Sequence, residues 1–168
     1  MGQFLVTNEA ITLKPLPWSA VKSWACSRCG ECCKLLVQLT TREWLDLTRR
    51  YGNMIVDQRM GGFFLRKTID DRCPFLRRGI KGWQCGLQHS KPLACKLWPF
   101  RVLAKPRYDQ LQEACYEHHD KKFYVYALPF CPGISWGRPA DQLIKKTIPE
   151  LIDIRLGLQP IQHFSTSR

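Results

Sequence analysis

The chain has 168 residues, 45% of them apolar and 24% charged, with nine cysteines and a formal net charge of +12. That length suits one domain, and that composition excludes a disordered or low-complexity chain. The longest apolar run, Tyr124–Phe130, is too short for a bilayer, and residues 1–12 carry no basic segment ahead of an apolar one. Neither a transmembrane helix nor a signal peptide is therefore expected, the expected location is the cytoplasm, and no membrane role is expected. In that reducing setting a cysteine-dense chain with an odd thiol count reads as metal-binding rather than disulfide-stapled.

In chain order, residues 1–25 contain Pro15, Pro17, Trp18 and Trp24 and read as an irregular N-terminal arm. Cys26-Ser-Arg-Cys29-Gly-Glu-Cys32-Cys33 follows, three of its thiols in C-x2-C-x2-C register, with Gly30 freeing the backbone for a tight bend. Side chains alternate along an extended backbone, so Cys32 and Cys33 are expected on opposite faces, as a junction between two metal sites. Leu35–Leu39 reads as a short strand. Thr40-Thr41-Arg42-Glu43 reads as a capping box opening a helix that ends at Gly52.

Phe63–Thr68 reads as a strand, and residues 77–85 as a hairpin that brings Cys73 towards Cys85. Residues 91–97 read as one helical turn carrying Cys95, stopped by Pro99, and residues 101–122 as a polar loop or short helix. His118 and His119 in that stretch are expected to be solvated. Phe123–Leu128 reads as a strand leading to Cys131-Pro132-Gly133. The tail, 141–157, has helical patterning that Pro149 is expected to break in two, with Ile144, Ile148, Leu151, Ile152 and Ile154 covering the metal region.

Four blocks carry a resemblance: CSRCGECC at 26–33, CPFL at 73–76, CGLQHSKPLACKLWPF at 85–100 and CPGI at 131–134. Together they resemble the cysteine-cluster family named for its C-x-x-C-x-x-C-C motif, described as chelating zinc or iron. In the third block Gln88, His89, Lys91, Lys96 and Trp98 stand where the family has Tyr, Glu, Arg, Arg and Phe. The resemblance implies eight ligands: Cys26, Cys29, Cys32, Cys33, Cys73, Cys85, Cys95 and Cys131. Cys115 has no counterpart in it and reads as a small buried hydrophobe. His89, four residues after Cys85, is a weaker ligand candidate and reads first as a surface histidine.

Eight thiols divide into two sets of four. The three-ligand run and the prolines after Cys73 and Cys131 favour iron-sulfur clusters of the 4Fe-4S kind, one or two of them, over zinc. The expected sets are Cys26, Cys29, Cys32 and Cys131 for one site, and Cys33, Cys73, Cys85 and Cys95 for the other. Trp24, Trp83, Trp98 and Trp136 each lie near a ligand in sequence and read as packing around the centre.

The positive charge concentrates in residues 61–110, which hold eleven Lys and Arg against three Asp and Glu. Arg66, Lys67, Arg72, Arg77, Arg78 and Lys81 are the candidate patch for nucleic acid. Walker, Rossmann, H-E-x-x-H and G-x-S-x-G motifs are absent, so no catalytic residue is named and a non-enzymatic role is favoured.

The expected fold is a single, small, irregular α+β domain of short strands and helices organised around two cysteine-ligated metal sites. Residues 26–134 are expected to form the cysteine domain, with 135–168 a helical segment packing on it. The expected function is a metal-binding protein carrying one or two iron-sulfur clusters, an electron-transfer or accessory component with a redox or enzyme partner protein. The alternative is a zinc-stabilised basic module docking on RNA, DNA or a nucleoprotein complex.

Overall fold

The computed structural model describes residues 14–165, a mixed α/β arrangement of short strands and four α-helices. In chain order these are β1 (Leu16–Pro17), β2 (Val21–Trp24), β3 (Gln38–Leu39), α1 (Thr41–Tyr51), β4 (Val56–Arg59), β5 (Gly62–Leu65), β6 (Leu76–Gly79), β7 (Gly82–Cys85), α2 (Leu93–Leu97), β8 (Phe100–Leu103), α3 (Leu111–Ala114), β9 (Cys115–His118), β10 (Lys121–Ala127), β11 (Ile134–Trp136) and α4 (Ile148–Leu156).

Strand β10 is the hub of the main sheet, because Phe123, Val125, Tyr126 and Ala127 are all buried and need cover along both edges. β8, β1 and β9 each pair with it antiparallel, in the registers Val125↔Val102, Leu16↔Ala127 and Phe123↔Tyr116. α4 closes one side of this core with Ile148, Leu151, Ile152 and Ile154, none more than 4% exposed. Each such side chain contributes about 1.5–3 kcal/mol by leaving water.

A second apolar cluster joins Val37, Leu39, Leu47, Val56, Leu65, Cys73, Phe75 and Leu87. It is built on the antiparallel sheet β3-β5-β4 with α1 across it, and Trp44 stacks flat on Phe63 at 4.1 Å between ring centroids. The β6–β7 hairpin and the β2–β11 pair complete the strands.

The capping box forms as expected. Thr40 Oγ1 accepts from Glu43 N–H at 3.2 Å, Glu43 Oε2 accepts from Thr40 N–H at 2.9 Å, and Gly52 caps the other end of α1. Hairpin 76–85, helix α2 and strand β10 also lie where the sequence placed them.

Other expectations are corrected. Residues 16–24 are not an irregular arm, because β1 pairs with β10 and β2 with β11, and Val21 is fully buried; residues 1–13 of that arm lie outside the described ones. Segment 101–122 is not only loop and helix. It contributes to β8 and β9, and in β8 the buried Phe100 and Val102 flank the exposed Arg101. In the tail, a π-helical stretch, Leu143–Thr147, runs directly into α4. Pro149 sits in the first turn of α4, directly after the π-helical stretch, where Ile144 O accepts from the Tyr116 hydroxyl at 2.6 Å, and the tail stays one continuous helix across it.

Candidate metal centre

The opening cysteine loop is held in shape by its backbone. Arg28 and Gly30 have φ of 56° and 77°, and residues 31–34 close into a 3-10 turn with Cys33 N–H donating to Gly30 O at 3.1 Å. Gly30 is required twice over, since a Cβ there would also stand 3.1 Å from the Trp83 ring. The hairpin docks on the loop through Trp83 N–H to Arg28 O at 3.0 Å, and the next segment through Cys73 N–H to Cys33 O at 2.8 Å. On the other side Ala25 N–H donates to Gly133 O at 3.0 Å, and the approach is so close that a Cβ on Gly133 would lie 2.2 Å from Ala25 O. That approach lays Cys131 beside the loop.

Cys33, Cys73, Cys85 and Cys95, the expected second set, pack against one apolar cluster, with Cys73 buried within it. Cys33 stands between Cys32 and Cys73. Hydrogen bonding from its thiol lowers each of those two to about 7, while the same bonds push Cys33 itself far up. Burial raises Cys85 and Cys95, and Cys95 also feels Cys85, Cys73 and Cys32. Cys131 lies apart from these, within electrostatic reach of Cys29, and is raised by burial against the pull of the Trp24 and Trp98 indoles. Cys26 Sγ accepts from Arg28 N–H at 3.4 Å.

Cys32 and Cys33 do not face apart. The pair lies on a 3-10 turn, where neighbouring side chains are separated by about 120° rather than the 180° of a strand, so both sulfurs reach one side. Cys32 thus adjoins the set it was expected to leave, and the junction between the two groups is Cys32 itself.

A cavity of about 1280 Å³ lies between the two apolar clusters. Cys26, Cys32, Cys33, Cys73, Cys85 and Cys95 are in its wall, together with Trp24, Trp83, Trp98 and Lys91. Lys91 lowers Cys32, Cys85 and Cys95, as a cation facing thiols must. Four thiolates on one zinc, with Zn–S of about 2.3 Å, stand only about 3.8 Å apart. Among the described residues no three cysteine sulfurs lie within 4.8 Å of one another. The Trp24 indole N–H is buried with no partner at hydrogen-bonding distance, and Cys131 is the sulfur it acts on. Thiols gathered on the wall of an apolar cavity fit a thiolate-ligated metal group.

The basic residues are less available than their number suggests. Arg66 donates to Asp57 Oδ1 at 2.7 Å and to Val56 O, Lys67 to Asp71 O, and Arg77 to Pro74 O and Leu76 O. Arg72 and Arg78 lie over the Trp83 ring, 5.0 and 5.9 Å from its centroid, and Lys81 is exposed in the hairpin turn. Trp136 is 42% exposed and outside the cavity wall, unlike the other three tryptophans. His89 is exposed ahead of α2, and Cys115, expected to be buried, begins β9 half-buried. His118 and His119 are not merely solvated, since both reach Asp153, a contact between sequence-distant residues that no local signal announces. Among the described residues no helix is long and apolar enough to cross a membrane.

A family model, CxxCxxCC, described as "Putative zinc- or iron-chelating domain", matches residues 25–131. No curated protein and no solved structure matches the chain.

Proposed function

The chain belongs to the CxxCxxCC family of metal-chelating domains, and from that premise we propose that its cysteines hold iron-sulfur clusters of the 4Fe-4S kind and that it serves as an electron-transfer or accessory component for a partner protein. The cavity carries this reading, because an apolar chamber of about 1280 Å³ walled by six thiols is far larger than one zinc with four touching sulfurs requires. Cys33, Cys73, Cys85 and Cys95 would hold one cluster. Cys26, Cys29 and Cys131, with Cys32 at the junction, would hold the other.

Bound there, a cluster supplies one-electron chemistry at a potential set by charge, hydrogen bonds and solvent exposure. The chain's own residues act on those quantities. Lys91 offsets thiolate charge, Trp24 and Trp98 direct indole N–H groups at Cys131, and the largely apolar wall lowers the local polarity. Four thiols per cluster leave no iron free for a substrate, which favours electron transfer over catalysis at the metal.

Purification without oxygen, followed by iron and sulfide analysis and a visible spectrum, tests this. About four to eight irons with matching sulfide and a brown colour are expected. A colourless protein with two zincs and no iron overturns it. The zinc-stabilised basic module has one observation in its favour, the Arg72–Trp83–Arg78 stack on the hairpin. It requires binding to a polyanion that weakens steeply with salt.

A further inference from the structure

The His118, His119 and Asp153 cluster belongs to neither apolar cavity nor cysteine loop. His118 ends β9, and His119-Asp120 form the two-residue connection to β10, since Lys121 pairs with His118. Both connecting residues have positive φ, 51° and 57°, the conformation of the tight hairpin turn that matches strand twist. That turn denies the two imidazoles the opposite directions they would take along a strand and brings them within 3.9 Å of each other, centroid to centroid. Asp153 comes from α4, 34 residues further along, and its Oδ1 stands 2.9 Å from His118 Nε2 and 2.9 Å from His119 Nε2.

We propose that His118 Nε2, His119 Nε2 and Asp153 Oδ1 form a separate, sulfur-free site for a divalent transition ion of the zinc class, with a fourth position open to solvent. All three donor atoms lie within 4.8 Å of one another, the one such trio of His, Cys, Asp and Glu among the described residues. Ligands at about 2.0–2.1 Å on a tetrahedral ion stand about 3.3 Å apart, so the two N···O separations need open by only a few tenths of an ångström. Two imidazoles and one carboxylate are the donor set that suits zinc or ferrous ion, in contrast to the all-thiolate set around the cavity.

Exposure fits an exchangeable ion. The side chains of His118 and Asp153 are 19% and 23% exposed, which fixes them, while that of His119 is 54% exposed and leaves a path from solvent. Without an ion, each Nε2 that donates to Oδ1 must carry its proton. An ion takes that lone-pair position, so the proton on each ligating Nε2 must leave for solvent or pass to Nδ1. Three protein ligands leave an open position, as in sites that exchange or activate water rather than closed structural ones.

Calorimetric titration of zinc chloride into the protein carrying its native cysteine-bound metal tests this, with cysteine-bound metal assayed before and after. One further zinc per chain is expected, with the cysteine-bound metal retained. Asp153→Asn and His119→Gln should each weaken that binding by about 100-fold or more, from the loss of one ligand of three. His119 lies exposed in the turn, so its variant keeps the fold, which circular dichroism checks. Uptake of no further zinc, uptake matched by loss of cysteine-bound metal, or undiminished uptake by both variants would each overturn the proposal. None of these outcomes depends on whether the cysteines hold iron-sulfur or zinc.

Discussion

The two apolar clusters are sealed by different means. Around β10 and α4, fourteen buried residues interlock with a single cysteine, Cys131, among them, and α4 lies across the sheet as an ordinary lid. Around β3-β5-β4 only eight residues are buried, one of them Cys73, and Cys33, Cys85 and Cys95 are packed on that cluster's side. The first resembles a small protein core in its own right. The second is too small to stand without whatever joins its thiols, so the coupling of folding to metal is expected in one half of the molecule and not in both.

Removing the metal is the strongest way to break this comparison. Hydrogen exchange should then show the amides of β3, β5 and β7 unprotected while β8, β10 and α4 keep protection, a loss on the order of 10 kcal/mol confined to the β3-β5-β4 side. Equal loss in both halves would show that the clusters are one cooperative unit. Next in size, Ile152→Ala empties a fully buried position under α4 and should cost about 2–5 kcal/mol in denaturant melts, with metal content unchanged.

Gly133→Ala tests the seam. The methyl would meet Ala25 O, so a loss of about 1–3 kcal/mol is expected, together with a shortfall of metal confined to the Cys26, Cys29 and Cys131 side. Elemental analysis beside a melt checks both.

Glu150 gives the smallest and most pH-bound effect. Burial works to raise its pKa, but Ser165 Oγ at 2.6 Å and the N–H groups of His163, Phe164 and Ser165 hold it below the usual carboxylate range. A depressed folded pKa adds stability above the unfolded value, near 4.3, and that stability is lost as pH falls through the folded value. Glu150→Gln should therefore cost about 1.5–3 kcal/mol at neutral pH and progressively less in acid, as melts at several pH values would show.

What the sequence made legible were features with local causes. The capping box at Thr40 and Glu43, the hairpin around Gly79 and Gly82, and the helical turn before Pro99 each follow from neighbours within a few residues. The two-residue β1 could not be read, because it exists only as a partner of Tyr126 and Ala127. β8 was hidden because it is four residues long, interrupted by the exposed Arg101 and followed by a polar, basic stretch. Cys32 and Cys33 were expected to face apart because alternation was assumed where Gly30 starts a 3-10 turn. The His118–His119 pair was read as solvated because nothing nearby in sequence announces Asp153.

The pairing of Trp24 with Ile134 joins residues about 110 positions apart, and it is what sets Cys131 beside the opening loop. A ribosome releases the chain from its beginning, so the first cysteines emerge long before their last companion has been made. Through that interval the opening loop is open to oxidants and to whatever metal is at hand. On the proposed pairing, the order of synthesis leaves that site incomplete until β11 has found β2.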